Sequence, residues 1–226
     1  MATPSEKLAT SLDELRELQE KGIVAIRTDA LSRTNRERLL KNGFIREVYK
    51  GWYIVTPPNE TKGDSTSWYG SYWNFCTQVL EDMYGKNWCI SPEHSLLLQA
   101  GNWTVPQQLI VKSPQASNNK TDLLFGTSLF HIKSPLPAKN EIIDDNGIRM
   151  LSLGAALIQA SPAMFTQNPT DMRTALSMVK DASRILALLL EGGQSIVAGR
   201  FSRCIPKYKP EPHGRYYIKN DGKSRL

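Results

Sequence analysis

Seven basic side chains crowd into residues 27–50: Arg27, Arg33, Arg36, Arg38, Lys41, Arg46 and Lys50, against the three acids Asp29, Glu37 and Glu47. Guanidinium and ammonium groups at this density suit phosphate oxygens, and arginine also matches the paired acceptors on a guanine edge. Their spacing assigns them roles. Arg33, Arg36 and Glu37 fall together near the start of a helical pattern, where they would meet base edges, with Thr34 among them. Arg38 and Lys41 are three apart on another face and suit phosphates, as do Arg27, Arg46 and Lys50.

Other reactive types are sparse. Ser91 stands three residues before His94, close enough for a hydroxyl to meet an imidazole. Ser91-Pro92-Glu93 is also the signature of a helix start, and no acid partner or glycine elbow accompanies the pair, so capping accounts for the serine. Glu60-Thr61-Lys62 ends like the ExK of some nucleases but stands in a linker-like stretch without a strand around it. His94, His131 and His213 are scattered, and Cys76, Cys89 and Cys204 form no CxxC pattern, which suggests reduced thiols. Phosphate-binding, dinucleotide, zinc-protease, serine-hydrolase and kinase motifs are missing. The chain is therefore expected not to be an enzyme, with no catalytic residues, no cofactor and no metal.

The basic residues need elements to hold them. Leu8, Leu12, Leu15 and Leu18 predict a helix from about Ser5 to Lys21, with Glu14, Glu17 and Glu20 on its wet side and Gly22 at its end. Ile23 to Ile26 reads as a short strand, and Arg27 to Ser32 as a turn in which Asp29 or Ser32 caps the next helix. That second helix runs from Arg33 to Asn42, with Leu39 and Leu40 inward, and stops at Asn42-Gly43. Phe44 to Val48 and Trp52 to Val55 then alternate as strands about Tyr49-Lys50-Gly51, with Lys50 at the tip and Trp52 and Tyr53 as anchors. Helix, strand, helix, glycine stop and basic hairpin is the order of a winged helix-turn-helix, which points to double-stranded DNA. Pro57 to Asp64 reads as a linker, so the first domain is expected to span residues 1–57.

The remainder predicts a larger mixed α/β domain over 65–200, making the whole chain α/β (α+β). Ser65 to Met83 is an aromatic-rich helix whose Trp, Tyr and Phe residues suit a core better than base stacking. Trp88 to Ile90 is a short strand, and Ser91 to Ala100 a helix. Leu109 to Val111, Thr127 to Lys133 and Ile148 to Leu151 are strands, separated by polar or proline-rich stretches that include Ser113 to Asp122. Helices come next at Ser152 to Ala160 with serine as cap, from Asn168-Pro169 through Val179, and at Asp181 to Glu191, with another starting near Ser195. Residues 201–226 carry three prolines and no helical period, and read as a flexible basic tail.

Charge is localised. Residues 27–50 carry +4 and residues 200–226 carry +6, while 1–26 and 51–199 each carry −2. A basic segment on a near-neutral body is the footprint of a local nucleic-acid contact rather than of a wholly basic coat protein. No apolar run approaches the roughly 18–20 residues that span a bilayer, and the start lacks a signal-peptide core. No membrane association and a cytoplasmic location are expected.

Arg27 through Val55, then SPEHSLLLQAG (Ser91 to Gly101) and GIRMLSLGAALIQASP (Gly147 to Pro162), resemble successive landmarks of AbiEi-type antitoxins. These are bacterial type IV antitoxins with an amino-terminal winged helix and a larger α/β domain. Met1 to about Arg200 is also similar to the region preceding the catalytic domain of some long Fic-family proteins, notably in WTVPQQLIVKSP, TSLFHIKSP and ALLLEGGQSIVAGR. The first resemblance implies a transcriptional regulator that binds repeats in its own promoter, as a homodimer on DNA, beside a toxin encoded nearby. The second implies a non-catalytic regulatory or protein-interaction region of a truncated Fic-family AMP-transferase protein, with a nearby Fic protein as partner. The Fic motif HPFxxGNGRxxR is absent. Of the Fic inhibitory pattern only Glu191 and Gly192 match, with Ala187 where serine or threonine belongs.

Overall fold

The computed structural model describes residues 3–61, 63–180 and Ile185. The chain is mixed α/β. The predicted helices at 181–191 and from Ser195, the tail 201–226, Lys62, Cys204 and His213 lie outside the described residues.

Helix α1, Pro4–Glu20, opens on a reciprocal capping box: the Glu6 backbone N–H donates to Thr3 Oγ1 and the Thr3 N–H donates to the Glu6 carboxylate. The chain then forms β1 (Ile26–Arg27), a 3-10 turn (Thr28–Ala30), α2 (Arg33–Lys41), β2 (Ile45–Tyr49) and β3 (Trp52–Val55). The expected strand from Ile23 shrinks to two residues, because the Val24 and Ala25 N–H groups donate to Gln78 Oε1 instead of to a strand. Ser32, not Asp29, caps α2 by accepting from the Asn35 N–H. Gly43, at φ +75°, ends the helix, and the Phe44 N–H returns to the Leu39 carbonyl.

The three strands form an antiparallel sheet in the order β1-β3-β2. Both faces of this sheet are covered. Ile26, Ile45 and Tyr53 pack with Leu15, Leu18 and Leu39 of α1 and α2. Ala25, Val48 and Ile54 enter a second core with the long helix α3, Thr66–Tyr84. The packing therefore runs across residue 57. Pro57–Asp64 is irregular, as expected, but the Glu60 side chain within it is only 3% exposed.

Beyond α3 lie β4 (Cys89–Ile90), α4 (Pro92–Gln99), β5 (Gln108–Ser113), β6 (Asn119–Asp122) and β7 (Ser128–Lys133). Strands β4 to β7 form one sheet in the order β4-β5-β7-β6, with β5 and β7 parallel. Strand β6 lies inside the stretch expected to be loop. It is an edge strand with mostly exposed side chains, so no apolar alternation announces it. A hairpin of β8 (Ile142–Asp145) and β9 (Ile148–Leu151) turns at Asn146-Gly147, and its first strand was not expected. Helices α5 (Leu153–Gln159), α6 (Ala163–Gln167) and α7 (Pro169–Ser177) close a third core around Leu96, Leu151 and Met172. Ser152 precedes α5 but makes no side-chain cap, a correction to the expected serine cap. The short α6 was also not expected.

The aromatic residues of α3 are core, as their spacing implied. Trp68, Tyr72 and Phe75 are each 1% exposed or less, in edge-to-face contact. No helix of the described residues is long and apolar enough to cross a membrane.

Candidate nucleic-acid interface

Helix α2 has two working sides. Leu39 is fully buried against α1 and the sheet, and this fixes which residues remain outside. Arg33, Thr34, Glu37 and Lys41 are exposed, and Arg33, Glu37 and Lys41 recur every fourth residue along one stripe. Arg33 Nε donates to Glu37 Oε1 at 2.8 Å, with side chains 84% and 61% exposed. That partner lowers the Glu37 carboxyl below its usual range, through the hydrogen bond first and the charge second. An ion pair this exposed is loosely held and can exchange partners.

Arg38 does not share the outer face with Lys41. Its Nη1 donates to the Lys7 carbonyl, Ser11 Oγ and Asn35 Oδ1 at 2.9, 2.7 and 2.9 Å, tying α2 to α1. Glu14, expected on the wet side of α1, joins the same contact by accepting from Asn35 Nδ2. Arg38, expected to contact phosphate, is held here in an interhelical clasp.

The hairpin tip comes to α2 through Thr28. Arg36 Nη1 donates to the Thr28 carbonyl at 2.6 Å, while the Thr28 N–H and hydroxyl both donate to the Gly51 carbonyl at 2.8 and 3.0 Å. Gly51 has φ +78°, and a Cβ there would meet Thr28 Oγ1 at 2.8 Å, so any other residue strains the turn and displaces Thr28. Its N–H donates to Glu47 Oε1. Lys50 is exposed at this tip. Strands β2 and β3 meet at Tyr49↔Trp52, so the turn is Lys50-Gly51 alone, shorter than expected. Arg36 thus ties α2, on which Arg33, Thr34, Glu37 and Lys41 are exposed, to the turn that exposes Lys50.

Arg27 and Arg46 do not join them. Arg46 pairs in register with Ile54, whose side chain faces α3, and its Nη2 lies 2.5 Å from Glu60 Oε2. The approach is off the hydrogen-bonding direction, which leaves both Glu60 oxygens without a directional bond. Arg46 also lies over the Phe125 ring at 5.9 Å. Arg27 Nη1 donates to Asp82 Oδ1 of α3 at 2.6 Å, and its guanidinium sits 5.5 Å from the Trp52 ring centre. Asp82 raises the Arg27 pKa, with Asp29 adding to it. Arg27 fastens the sheet to α3, and Arg46 fastens it to Glu60 of the 57–64 segment and to Phe125. Trp52 faces the same way, edge-on to Phe75, while Tyr53 anchors the opposite face.

Thr28, Asn35, Asp82 and Glu60 had no place in the sequence-derived site, and only Gly51 carried a local signal. A threonine whose carbonyl and hydroxyl join a helix to a turn has no characteristic spacing.

Away from this surface, Ser91 caps α4 as expected, accepting from the His94 N–H at 3.3 Å. The nearest approach to catalytic geometry is the same pair, with Ser91 Oγ 3.1 Å from His94 Nδ1, but Ser91 is 2% exposed. His131 is fully buried between Tyr84 Oη and Thr121 Oγ1. Burial pushes the Cys76 thiol up and the Cys89 thiol up to about 11, so both are poor nucleophiles. Among the described residues no group of three or more His, Cys, Asp and Glu could hold a metal ion. No protein-family model and no curated protein matches the chain.

Proposed function

We propose that the chain is a DNA-binding transcriptional regulator acting in the cytoplasm, with residues 1–57 working as a winged helix. One observation supports this: α2, which bears the exposed stripe, is tied to the turn carrying Lys50 through Arg36, Thr28 and Gly51. Helix α2, at nine residues, is about 13 Å long, which suits a major groove about 12 Å wide. Arg33, Thr34, Arg36 and Glu37 face the bases, and Lys41 and Lys50 the phosphates. Lys41 and Lys50 have no ion pair among the described residues. The antitoxin role, with promoter repeats as the operator, a homodimer on DNA and a toxin encoded nearby, rests on the sequence phrases alone. DNA binding is tested by gel shift of the full chain on its own upstream DNA at low salt. A retarded band that Lys50→Ala weakens supports the assignment, and no retardation at any salt refutes it.

A second function is favoured by a different observation. Each arginine from Arg27 to Arg46 already has an intramolecular partner. A surface whose arginines are all engaged also fits a non-catalytic module that restrains a partner protein, such as a Fic enzyme. Capture of the neighbouring gene's product, without DNA retardation, would select this alternative.

A further inference from the structure

His94 and the cap that holds it have a use that DNA binding does not absorb. The imidazole lines a cleft of about 220 Å³ between α4, the segment 102–106 and the start of α7. Trp73 and Leu97 supply apolar walls, and Thr104 and Asn168 add polar atoms. None of the described lining residues is an acid, a lysine or an arginine. Burial lowers the His94 pKa, so its ring is neutral at neutral pH.

Hydrogen-bond accounting favours one tautomer. Ser91 Oγ accepts from the His94 N–H as the helix cap, and Ser91 is buried. Its hydroxyl proton has one acceptor in reach among the described residues, His94 Nδ1 at 3.1 Å. A neutral imidazole that accepts at Nδ1 carries its proton on Nε2. His94 lines the cleft and Ser91 does not, which points to the ring edge opposite Ser91, with the Nε2–H, as the donor there. Asn168 Nδ2 is 3.3 Å from Met164 Sδ, which leaves the carboxamide oxygen as an acceptor. Asn102 already donates to Asp171 and accepts from the Thr104 N–H.

The Trp73 wall is pre-set. Its Nε1–H donates to the Trp103 carbonyl at 3.1 Å, and Tyr72 and Trp103 meet it edge-on at 5.2 and 6.0 Å. A flat ring laid on Trp73 would thus find a fixed apolar surface, one donor and one acceptor. A charged ligand would lose its hydration without a counter-ion.

We propose that this cleft binds a small uncharged nitrogen heterocycle of nucleobase size, which stacks on Trp73, accepts from His94 Nε2–H and donates to Asn168. The full chain is titrated with adenine, read by tryptophan fluorescence and by the His94 ring resonances in ¹H–¹⁵N spectra. Saturable quenching is expected, with a dissociation constant on the order of 0.1–1 mM for so small a ligand. Benzoate, equally flat but anionic, should bind at least about tenfold more weakly. His94→Leu and Asn168→Ala should each weaken adenine about tenfold. Two variants on opposite sides of the cleft keep the test decisive if one fails to fold. Absence of saturation up to roughly 10 mM, benzoate binding as tightly as adenine, or adenine binding both variants as it binds the parent would each overturn the proposal.

Discussion

Arg38 separates a structural role from a DNA-binding one, and Arg38→Met tests which holds. Methionine keeps much of the aliphatic stem, so packing along α2 is largely preserved. What goes is the guanidinium and its three bonds to Lys7 O, Ser11 Oγ and Asn35 Oδ1. Hydrogen bonds to a charged donor contribute about 1.5–3 kcal/mol when buried. Arg38 is half-buried, and the one Ser11 hydroxyl proton, shared between the Lys7 carbonyl and Asn35 Oδ1, still fills part of that acceptor capacity after the change. Allowing for both, the loss should be about 2 kcal/mol in total, or a fall in Tm of roughly 4–8 °C for a chain of this size. Urea and thermal melts measure it. The salt dependence of DNA retention provides the second readout. A residue that holds no phosphate leaves the slope of log K against log salt unchanged, whereas loss of one phosphate contact flattens it by about 0.9. Unchanged stability together with a flatter slope would refute the clasp and return Arg38 to the DNA surface.

Lys50→Ala should weaken DNA binding across sequences and flatten the salt slope by about 0.9, with stability unaltered, in gel shifts at several salt concentrations. Arg46→Ala should do the reverse: about 2–4 kcal/mol of stability is lost because the buried Glu60 carboxylate loses its partner, while DNA retention of the folded fraction stays the same. Denaturant unfolding of Arg46→Ala alongside Arg46→Ala/Glu60→Gln checks the cause, since the double variant should recover much of the loss. Gly51→Ala should destabilise by about 1–2 kcal/mol, from strain at φ +78° and contact with Thr28 Oγ1, and should loosen the tip from α2. Hydrogen exchange at the Thr28 amide reads this directly. Burial lowers the pKa of both His94 and His131, so the unfolded chain binds protons that the folded chain refuses. Stability should therefore hold above about pH 6.5 and fall as pH drops through that value towards the lowered folded pKa values. Urea melts between pH 7.5 and 5.5 check the sign, and His94→Gln should reduce the slope.

The elements legible in the chain alone are those whose signals are local. Helix α2, its glycine stop and the Lys50-Gly51 turn are written in side chains that act on their own backbone within four residues. The aromatic density of α3 likewise marked it as core, because that much apolar area must leave water. Strand β6 was invisible for the opposite reason: an edge strand is held by main-chain bonds to β7, and its side chains need no pattern. The charge count placed the basic surface but could not say which arginines are free. That depended on partners far along the chain, Lys7 and Ser11 for Arg38, Asp82 for Arg27 and Glu60 for Arg46. Helical periodicity reports the angle of a side chain about its own axis, not what stands opposite. Packing decided that α1 lies beside Arg38, that α3 lies under Arg27 and Glu60 beside Arg46, and that Thr28 joins Arg36 to the hairpin tip.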